Sequence, residues 1–558
     1  MSLRVIVNMT SAVETEDRTR VTQRRVQKPL RTAPPVNAAP LIYLDRTDPQ
    51  RCRQSVAAAA SQAVATDCDR IILVSSFLAH FGDAATLRCE TEAKAAIADQ
   101  PLKVLIVRTG FVLDDINERR LRRWAWLYPL LPASLATCWI ESRELAVLLT
   151  RECQRLKLPA YRAVTILGRH RPWSEVLRDH FESTIRGRIG AAFAHIARYL
   201  LIGYWMMMLL SVARRFSARA RAASFATLAP TSLSELLELS NPLNQRFVKI
   251  VGYNNGVVHF GQKFSGRTIV STVGCCRIVR MRHDTLTADA GATIRQASEY
   301  LARHGQELHV LPNYSYVTLG TAFFVPIHGS ASQYSTLAET IQRATVYDAA
   351  NDRIVMVRRG QPQFHSMIYD LSRPVVVLRL RVSTKPKAQY FLEKSSLEQP
   401  SALDLIHSLQ DQRYANVEIR KANSATNVVH VYRYSTNEGL TAGLPFPRDR
   451  VGRVWDAIES RRVTAHLFHW LVRRYGFHVE LFLTADQFAV FWSTHHQIPL
   501  KKIQIRYIRR DPSVHSPFRD HDCISVDVFM WRRHRAPFEN FIKAVVPNVR
   551  FNPGKHSM

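Results

Sequence analysis

The stretch DAGATIRQASEYLARHGQELHVLPNYSYVTLGTAFFVPIHGSAS, Asp289 to Ser332, decides how this chain is read. Ile294, Ala297 and Leu301 recur at helical spacing, so Thr293 to His304 is expected to be a helix with one buried face. Gly305 follows where a left-handed C-terminal cap belongs. Leu308-His309-Val310-Leu311 reads as a strand that Pro312-Asn313 stops. Beyond it, Tyr316 leads into Val317-Thr318-Leu319-Gly320-Thr321, and Ile327-His328-Gly329-Ser330-Ala331 closes the stretch. Small residues there keep side chains out of the way, and their N–H groups can donate to phosphate or ring oxygens. On composition alone, an ordinary tight loop beside a core strand is the plainer reading. The order of the parts suits a site for a large anionic cofactor.

Five pieces carry that order: Asp289-Ala290-Gly291, His304-Gly305, Leu311-Pro312, Thr318-Leu319-Gly320-Thr321 and His328-Gly329. Together they resemble the FAD-binding domain of the vanillyl-alcohol oxidase and p-cresol methylhydroxylase superfamily. That superfamily includes sugar-lactone oxidases, alditol oxidases and decaprenylphosphoryl-ribose oxidase. Its second loop glycine is Thr321 here. The resemblance implies FAD, held by Pro312, Tyr316, Thr318, Gly320, Thr321, His328, Gly329, Ser330 and Ala331. It also implies an earlier pyrophosphate loop. Phe247 to Val251 is a strand and Gly252-Tyr253-Asn254-Asn255-Gly256 the turn after it, so Gly252, Asn254, Asn255 and Gly256 are further cofactor candidates. Relatives often carry a flavin-linked histidine next. His259 in Gly256-Val257-Val258-His259 is displaced from that position, and a plain sheet histidine is the alternative. Tyr369 to Val382 resembles the strand that closes the domain.

A chain of 558 residues holds several domains' worth of core, and 46% hydrophobic with 22% charged residues is a globular composition. Eight cysteines form no CxxC, which gives no zinc site or disulfide framework and suggests reduced, cytoplasmic thiols. The net charge of +30 comes from 76 basic and 46 acidic residues. It points to nucleic acid, an anionic membrane surface or an anionic substrate, or to an arginine-rich genome. No nucleic-acid-binding module is evident, so nucleic acid is not an expected partner.

In the first third, Arg70 to Ser76 and Leu102 to Val107 are apolar strands with a helical pattern at Ala84 to Ala98 between them. Strand, helix, strand is the crossover unit of a doubly wound sheet. These residues, Arg108-Thr109-Gly110-Phe111-Val112-Leu113 and Trp139 to Ala146 resemble extended short-chain dehydrogenase/epimerase domains. No Gly-rich fingerprint opens the chain and no Tyr-x-x-x-Lys pair surrounds Lys94, so the chemistry of that family is missing. The expected architecture is α/β and α+β multidomain. Residues 1–40 form an arm, 41–182 a degenerate Rossmann-like domain, 183–234 a hinge, 235–385 an α+β FAD-binding domain and 386–558 an α+β substrate cap.

The hinge has no acidic residue from Ser183 to Ser234, and an uncharged run, YLLIGYWMMMLLSVA, lies between Arg198 and Arg214. A helix spanning a membrane, a helix lying on anionic lipid through 189–221, and a helix packed between domains all remain open.

In the cap, Lys502-Ile503-Gln504-Ile505-Arg506, Ser516-Pro517, the strand Ile524 to Phe529 and Gly554-Lys555 follow in the order of sugar-lactone and alditol oxidases. Alternation puts Gln504 and Arg506 on one face with Lys502. The resemblance implies that such residues line the cavity above the flavin and polarise a hydroxyl. Gln504 stands where relatives have a carboxylate, and an amide cannot take a proton. Glu418, in Glu418-Ile419-Arg420, is a candidate to supply the acid; His521 and His556 are alternative bases. The expected catalytic set is therefore Gln504, Arg506, Lys555 and Glu418. The expected reaction is hydride transfer to FAD from a hydroxyl-bearing carbon of a sugar, lactone or polyol, with O2 or another electron acceptor. The contrasting expectation is a flavin-binding scaffold with eroded sites.

Overall fold

A computed structural model describes residues 39–44, 48–113, 121, 136–153, 161–181, 205, 208–209, 212–213, 227–252, 267–312, 315–329, 334–436, 464 and 475–555. The chain divides into two compact units. One gathers the residues up to Leu228 with Ser234–Lys249 and Ser265–Val270; the other holds Ala229–Leu233, Ile250–Phe264 and Ser271–Met558. The expected arm and most of the 189–221 hinge lie outside the described residues. Among the described residues, no helix is long and apolar enough to cross a membrane.

In chain order the first unit runs β1 (Leu41–Tyr43), α1 (Pro49–Ala65), β2 (Arg70–Ser76), α2 (Ala84–Ala96), β3 (Lys103–Thr109), β4 (Phe111–Leu113), β5 (Ala136–Glu141), α3 (Ser142–Cys153), β6 (Tyr161–Ile166), β7 (Arg169–Pro172) and α4 (Trp173–Phe181). Asp48 caps α1 by accepting from the Arg51 amide at 3.0 Å, with Pro49 at the first helical position. β1, β2, β3 and β6 form a parallel sheet in that order. Ile71 to Val74 and Leu105 to Val107 are buried throughout, because helices cross over such a sheet and cover it. A doubly wound sheet reverses its strand order at a switch point. Among the described residues this sheet runs in sequence order without a reversal. Farther along lie β8 (Thr227–Leu228), α5 (Leu233–Leu239), β9 (Val248–Val251) and β10 (Thr268–Ser271).

The second unit opens with an antiparallel sheet of β11 (Ile278–Arg282), β12 (Thr285–Asp289), β14 (Ile341–Asp348), β15 (Arg353–Arg358) and β16 (Val375–Pro386), ordered β11-β12-β16-β14-β15. The helix expected after Thr293 is α6, Ile294–Ala302. Thr293 and Gln296 form a capping box, with the Gln296 amide 3.1 Å from Thr293 Oγ1, a device worth about 1 kcal/mol. Ile294, Ala297 and Leu301 are its buried face, and Gly305 takes a φ of +67°. The expected strand over 308–311 is shifted: β13 spans Gln306–Leu308 and pairs with the end of β16 at Leu308↔Thr384. Before Thr384 both edges of β16 are taken, by β12 up to Ser383 and by β14 up to Val382. The short helix α7 (Pro362–Met367) lies between β15 and β16.

A seven-stranded antiparallel sheet follows. Its elements are β17 (Phe391–Glu398), α8 (Ala402–Leu409), β18 (Asn416–Lys421), β19 (Val428–Ser435), β20 (Gly476–Leu483), α9 (Ala485–Thr494), β21 (Lys502–Ile508), β22 (Cys523–Trp531), α10 (Arg535–Val545) and β23 (Arg550–Phe551). The strand order is β17-β19-β18-β21-β22-β20-β23. One face is apolar: Ile419, Ile503, Ile505, Val526, Val528, Val479 and Leu481 share a core with Leu405 of α8, Phe488 and Phe491 of α9, and Phe538 of α10. Because strand side chains alternate, the residues between these point the other way.

Candidate functional site

The loops come first. Gly320 packs on the Asp289-Ala290-Gly291 turn, where its amide donates to Ala290 O at 2.8 Å and an added Cβ would meet the Ala290 Cβ at 2.8 Å. The Leu319 and Thr321 amides donate to Ala292 O and Thr318 O. The small residues of this loop thus serve close packing, and these three amides already have protein acceptors. Asp289 is buried and accepts from Arg379 Nε at 2.7 Å across the β12–β16 pair. Thr318 Oγ1 and Thr321 Oγ1 lie 2.9 Å apart, and a Cβ on Gly252 would come within 2.3 Å of the latter. Only glycine can bring the turn after β9 this close. Tyr316 is buried under the Arg295 guanidinium, and Pro312, four residues earlier, is half-buried. Asn254, Asn255, Gly256, His259, Ser330 and Ala331 lie outside the described residues.

The non-helical face of the seven-stranded sheet is built of charges. Register aligns Arg420, Gln504, Asp527 and Glu480 in one row across β18, β21, β22 and β20. A second row holds Lys394, Tyr432 and Glu418 on β17, β19 and β18, with Arg506 and Ser525 paired beyond them on β21 and β22. Gln504, Arg506, Glu418, Asp527 and Glu480 are all buried. Arg506 reaches Glu418 Oε2 at 3.3 Å, and Arg420 also pairs with Glu418. The second Glu-x-Arg therefore does bring a carboxylate to Arg506. Burial works against the charge on Glu418, but Arg506 and Arg420 outweigh it and hold the carboxyl down at about 2.

At the other end of the face Glu480 is the hub. His328 Nε2 lies 2.5 Å from its Oε1, Ser525 Oγ donates at 2.6 Å, Asn552 Nδ2 donates at 2.6 Å, and Lys555 Nζ stands 3.1 Å from Oε2. Lys555 also donates to Asp527 Oδ2 at 2.9 Å, and Asp527 pairs with His478. Burial opposes ionisation of both carboxyls. His328 and Lys555 nonetheless hold Glu480 well below the carboxylate range, and His478 and Lys555 lower Asp527 likewise. Burial disfavours the Lys555 cation, but Asp527 and Glu480 raise its pKa above the ordinary lysine value. The turn that delivers Lys555 is fixed by the Gly554 amide on Asn552 Oδ1 at 2.9 Å, and a Cβ on Gly554 would strike Val325 at 2.7 Å.

Gln504, Arg506, Glu418 and Lys555 thus share one face, and His328 of the small-residue loop is tied to it. His521 is exposed and away from it, and His556 lies outside the described residues. Glu480, Asp527, His478 and Asn552 are members that pattern reading missed. The signal was present: Phe477-His478-Val479-Glu480-Leu481-Phe482-Leu483 and Ile524-Ser525-Val526-Asp527-Val528-Phe529 each carry one carboxylate in an apolar strand. Such a carboxylate must be buried and therefore paired.

Residues 225–358 match the family described as FAD binding domain. No curated protein matches the chain. The chain therefore carries an FAD-binding domain that takes in Gly252 and both small-residue loops. Gly252 and Gly320 bring the turn after β9, the Thr318–Thr321 loop and the Asp289–Ala292 turn together, all of them inside the matched residues. The match stops before the seven-stranded sheet, so the charged face has no family assignment of its own.

Proposed function

We propose that the protein is a flavin-dependent oxidoreductase that oxidises a hydroxyl-bearing carbon of a sugar, sugar lactone or polyol-like substrate. The observation that carries this reading is the link between the FAD-binding domain and the charged face, through His328 on Glu480 and Glu480 on the partly buried Lys555. FAD, held by the Gly252 turn and the Thr318–Thr321 and His328–Ala331 loops, supplies the hydride acceptor. Arg506 and Lys555 orient the substrate hydroxyl and stabilise the partial negative charge its oxygen carries while the proton leaves in concert with the hydride. Gln504 hydrogen-bonds a neighbouring hydroxyl. The hydroxyl proton goes to a carboxylate of the row, and Asp527, opposite Gln504 in register, is the nearest in the ladder. A weak base suffices there, because the oxygen it deprotonates ends as a carbonyl and retains almost no basicity.

The competing reading is a flavin-binding scaffold. It is favoured by the ion pairs that already engage Glu418, Glu480 and Asp527. An anaerobic absorbance titration separates the two. The purified protein should be yellow, and its flavin band should bleach on adding an alditol, an aldonolactone or a lipid-linked sugar. A yellow protein that no hydroxylated substrate reduces supports the scaffold. A colourless protein that takes up no FAD removes both readings.

A further inference from the structure

A buried polar atom with no partner costs about 1–3 kcal/mol, so folded proteins leave few of them. In the second unit, five such side-chain atoms occur among the described residues. Ser298 Oγ is one. The other four are Gln504 Nε2, the Tyr432 hydroxyl, Asn416 Oδ1 and His309 Nδ1. Three of these four belong to the charged face. Gln504 stands beside Arg420, Tyr432 beside Glu418, and Asn416 beside Tyr434, on successive rows of the same ladder. The fourth, His309, lines a cavity of about 260 Å³ together with Asn416, Tyr434, Tyr390, Lys385 and Gly329. From Arg420 back to Asn416, β18 covers four residues, about 13 Å at a strand's rise of about 3.3 Å. The unmet atoms therefore trace a line. It starts next to the Arg506 cluster and ends in a cavity whose wall includes Gly329.

We propose that this line is a substrate track, and that the substrate carries a second sugar-sized polyhydroxylated unit seated in the cavity by Asn416, His309 and Tyr434. The proposal rests on the oxidoreductase reading for its reacting end only. The mix of unmet groups argues for hydroxyls. Gln504 Nε2 can only donate, Asn416 Oδ1 can only accept, and the Tyr432 hydroxyl does both. A phosphate or carboxylate group offers acceptors alone and leaves Asn416 Oδ1 unmet. A hydroxyl can meet every one of them. Leu308, Leu311, Tyr390 and Tyr434 give the cavity its apolar share. The length of the line exceeds what a single sugar unit covers.

The test uses the oxidised holoprotein and two probes, sorbitol and the disaccharide alditol maltitol. Binding is read from the flavin difference spectrum under anaerobic conditions, and turnover separately. Maltitol should bind about tenfold more tightly than sorbitol, the gain expected when one or two buried polar groups find partners. Asn416→Ala should collapse that preference toward one, and Tyr432→Phe should reduce it, with flavin content unchanged in both. A wild-type preference near one, or a preference that survives in both variants, overturns the track. If maltitol binds with this pattern but neither probe is oxidised, the track stands and the oxidoreductase reading falls. If both probes are oxidised with equal affinity, the reaction stands and the track falls.

Discussion

Two regions of this molecule bury a network of charges, and they differ in whether the network closes. In the first unit, the carboxyl ends of β2, β3 and β6 bring together Ser75, Arg108 and Thr165. Arg108 holds Glu90 at 2.7 Å and Glu238 at 2.8 Å. Ser75 donates to Glu90 at 2.7 Å, Thr165 donates to Glu238, and His80 joins Thr165 to Glu235. Asn241 and Asn244 Nδ2 atoms turn to Thr165 O, and the Leu167 amide donates to Asn244 Oδ1 at 3.0 Å. This is the edge where open parallel sheets admit ligands. Here the chain's own segment from Glu235 to Asn244 fills it, and each side chain of this network, charged or neutral, has a partner; the unmet atoms among the described residues of the unit, on Thr109, Thr137, Trp139 and Trp173, lie outside it. On the charged face of the second unit the ion pairs are as tight, but Gln504, Tyr432 and Asn416 each keep an unmet atom. A closed network spends its polarity on its own fold; an open one retains groups for something that arrives later.

The sharpest way to break this comparison is to remove the central arginine from each region. Arg108→Ala strands the Glu90 and Glu238 carboxylates without their cation, a loss of about 3–5 kcal/mol. Urea unfolding followed by tryptophan fluorescence should show it, since Trp139 and Trp173 pack 4.5 Å apart in the same unit. Arg506→Ala leaves Glu418 its second partner, Arg420, and should cost only about 1–2 kcal/mol. Its effect belongs in turnover, which should fall roughly a hundredfold to a thousandfold with flavin still bound. If the two variants lose equal stability and Arg506→Ala keeps its turnover, the charged face is structural as well.

Acid titration sharpens the same contrast. Glu418 sits at about 2 in the folded protein against an ordinary glutamate value of 4.5. A depressed carboxyl contributes stability that is full above its unfolded pKa and is lost as pH falls through its folded one. The window for Glu418 is therefore about pH 5 down to pH 2, with about 3 kcal/mol at stake. Glu480 and Asp527 carry the same sign, so the wild type should lose stability steeply in acid. Glu418→Gln should lose measurably less between pH 5 and pH 3 in urea midpoints. Equal acid slopes in the two proteins would mean that Glu418 is not the ion that Arg506 and Arg420 hold.

How much of this was legible beforehand depends on the range of the interaction. α6 could be read from three apolar residues, a Thr-x-x-Gln box and a terminal Gly, all between Thr293 and Gly305. The side of β21 that carries Gln504 and Arg506 could be read from period two alone. The shift of β13 could not, because it follows from which residues of β16 are already paired, more than seventy positions away. Glu480 was invisible for a similar reason. Its partners His328, Ser525 and the Asn552–Lys555 turn come from three separate parts of the chain, and pattern could say only that a carboxylate in an apolar strand needs partners. The amides of Leu319 and Gly320 show a different limit. Small residues in a loop admit a ligand or admit the neighbouring backbone, and here they admit the Asp289–Ala292 turn.

The smallest expected effect discriminates most finely. Tyr432 is buried, flanked by the Lys394 and Arg420 cations at 4.7 and 4.6 Å from its ring, and its hydroxyl has no partner. Phenylalanine keeps the ring and both cation–π contacts and removes only the unmet group. In a closed, structural network that exchange would break a hydrogen bond and destabilise the fold. In an open one it relieves a desolvated hydroxyl, and Tyr432→Phe should raise stability by up to about 1 kcal/mol while weakening substrate binding. Matched urea unfolding and flavin difference titrations read both quantities on one preparation. A variant that is less stable and binds equally well would place Tyr432 with Arg108, among residues that serve the fold, and would close the line between Gln504 and Asn416 in its middle.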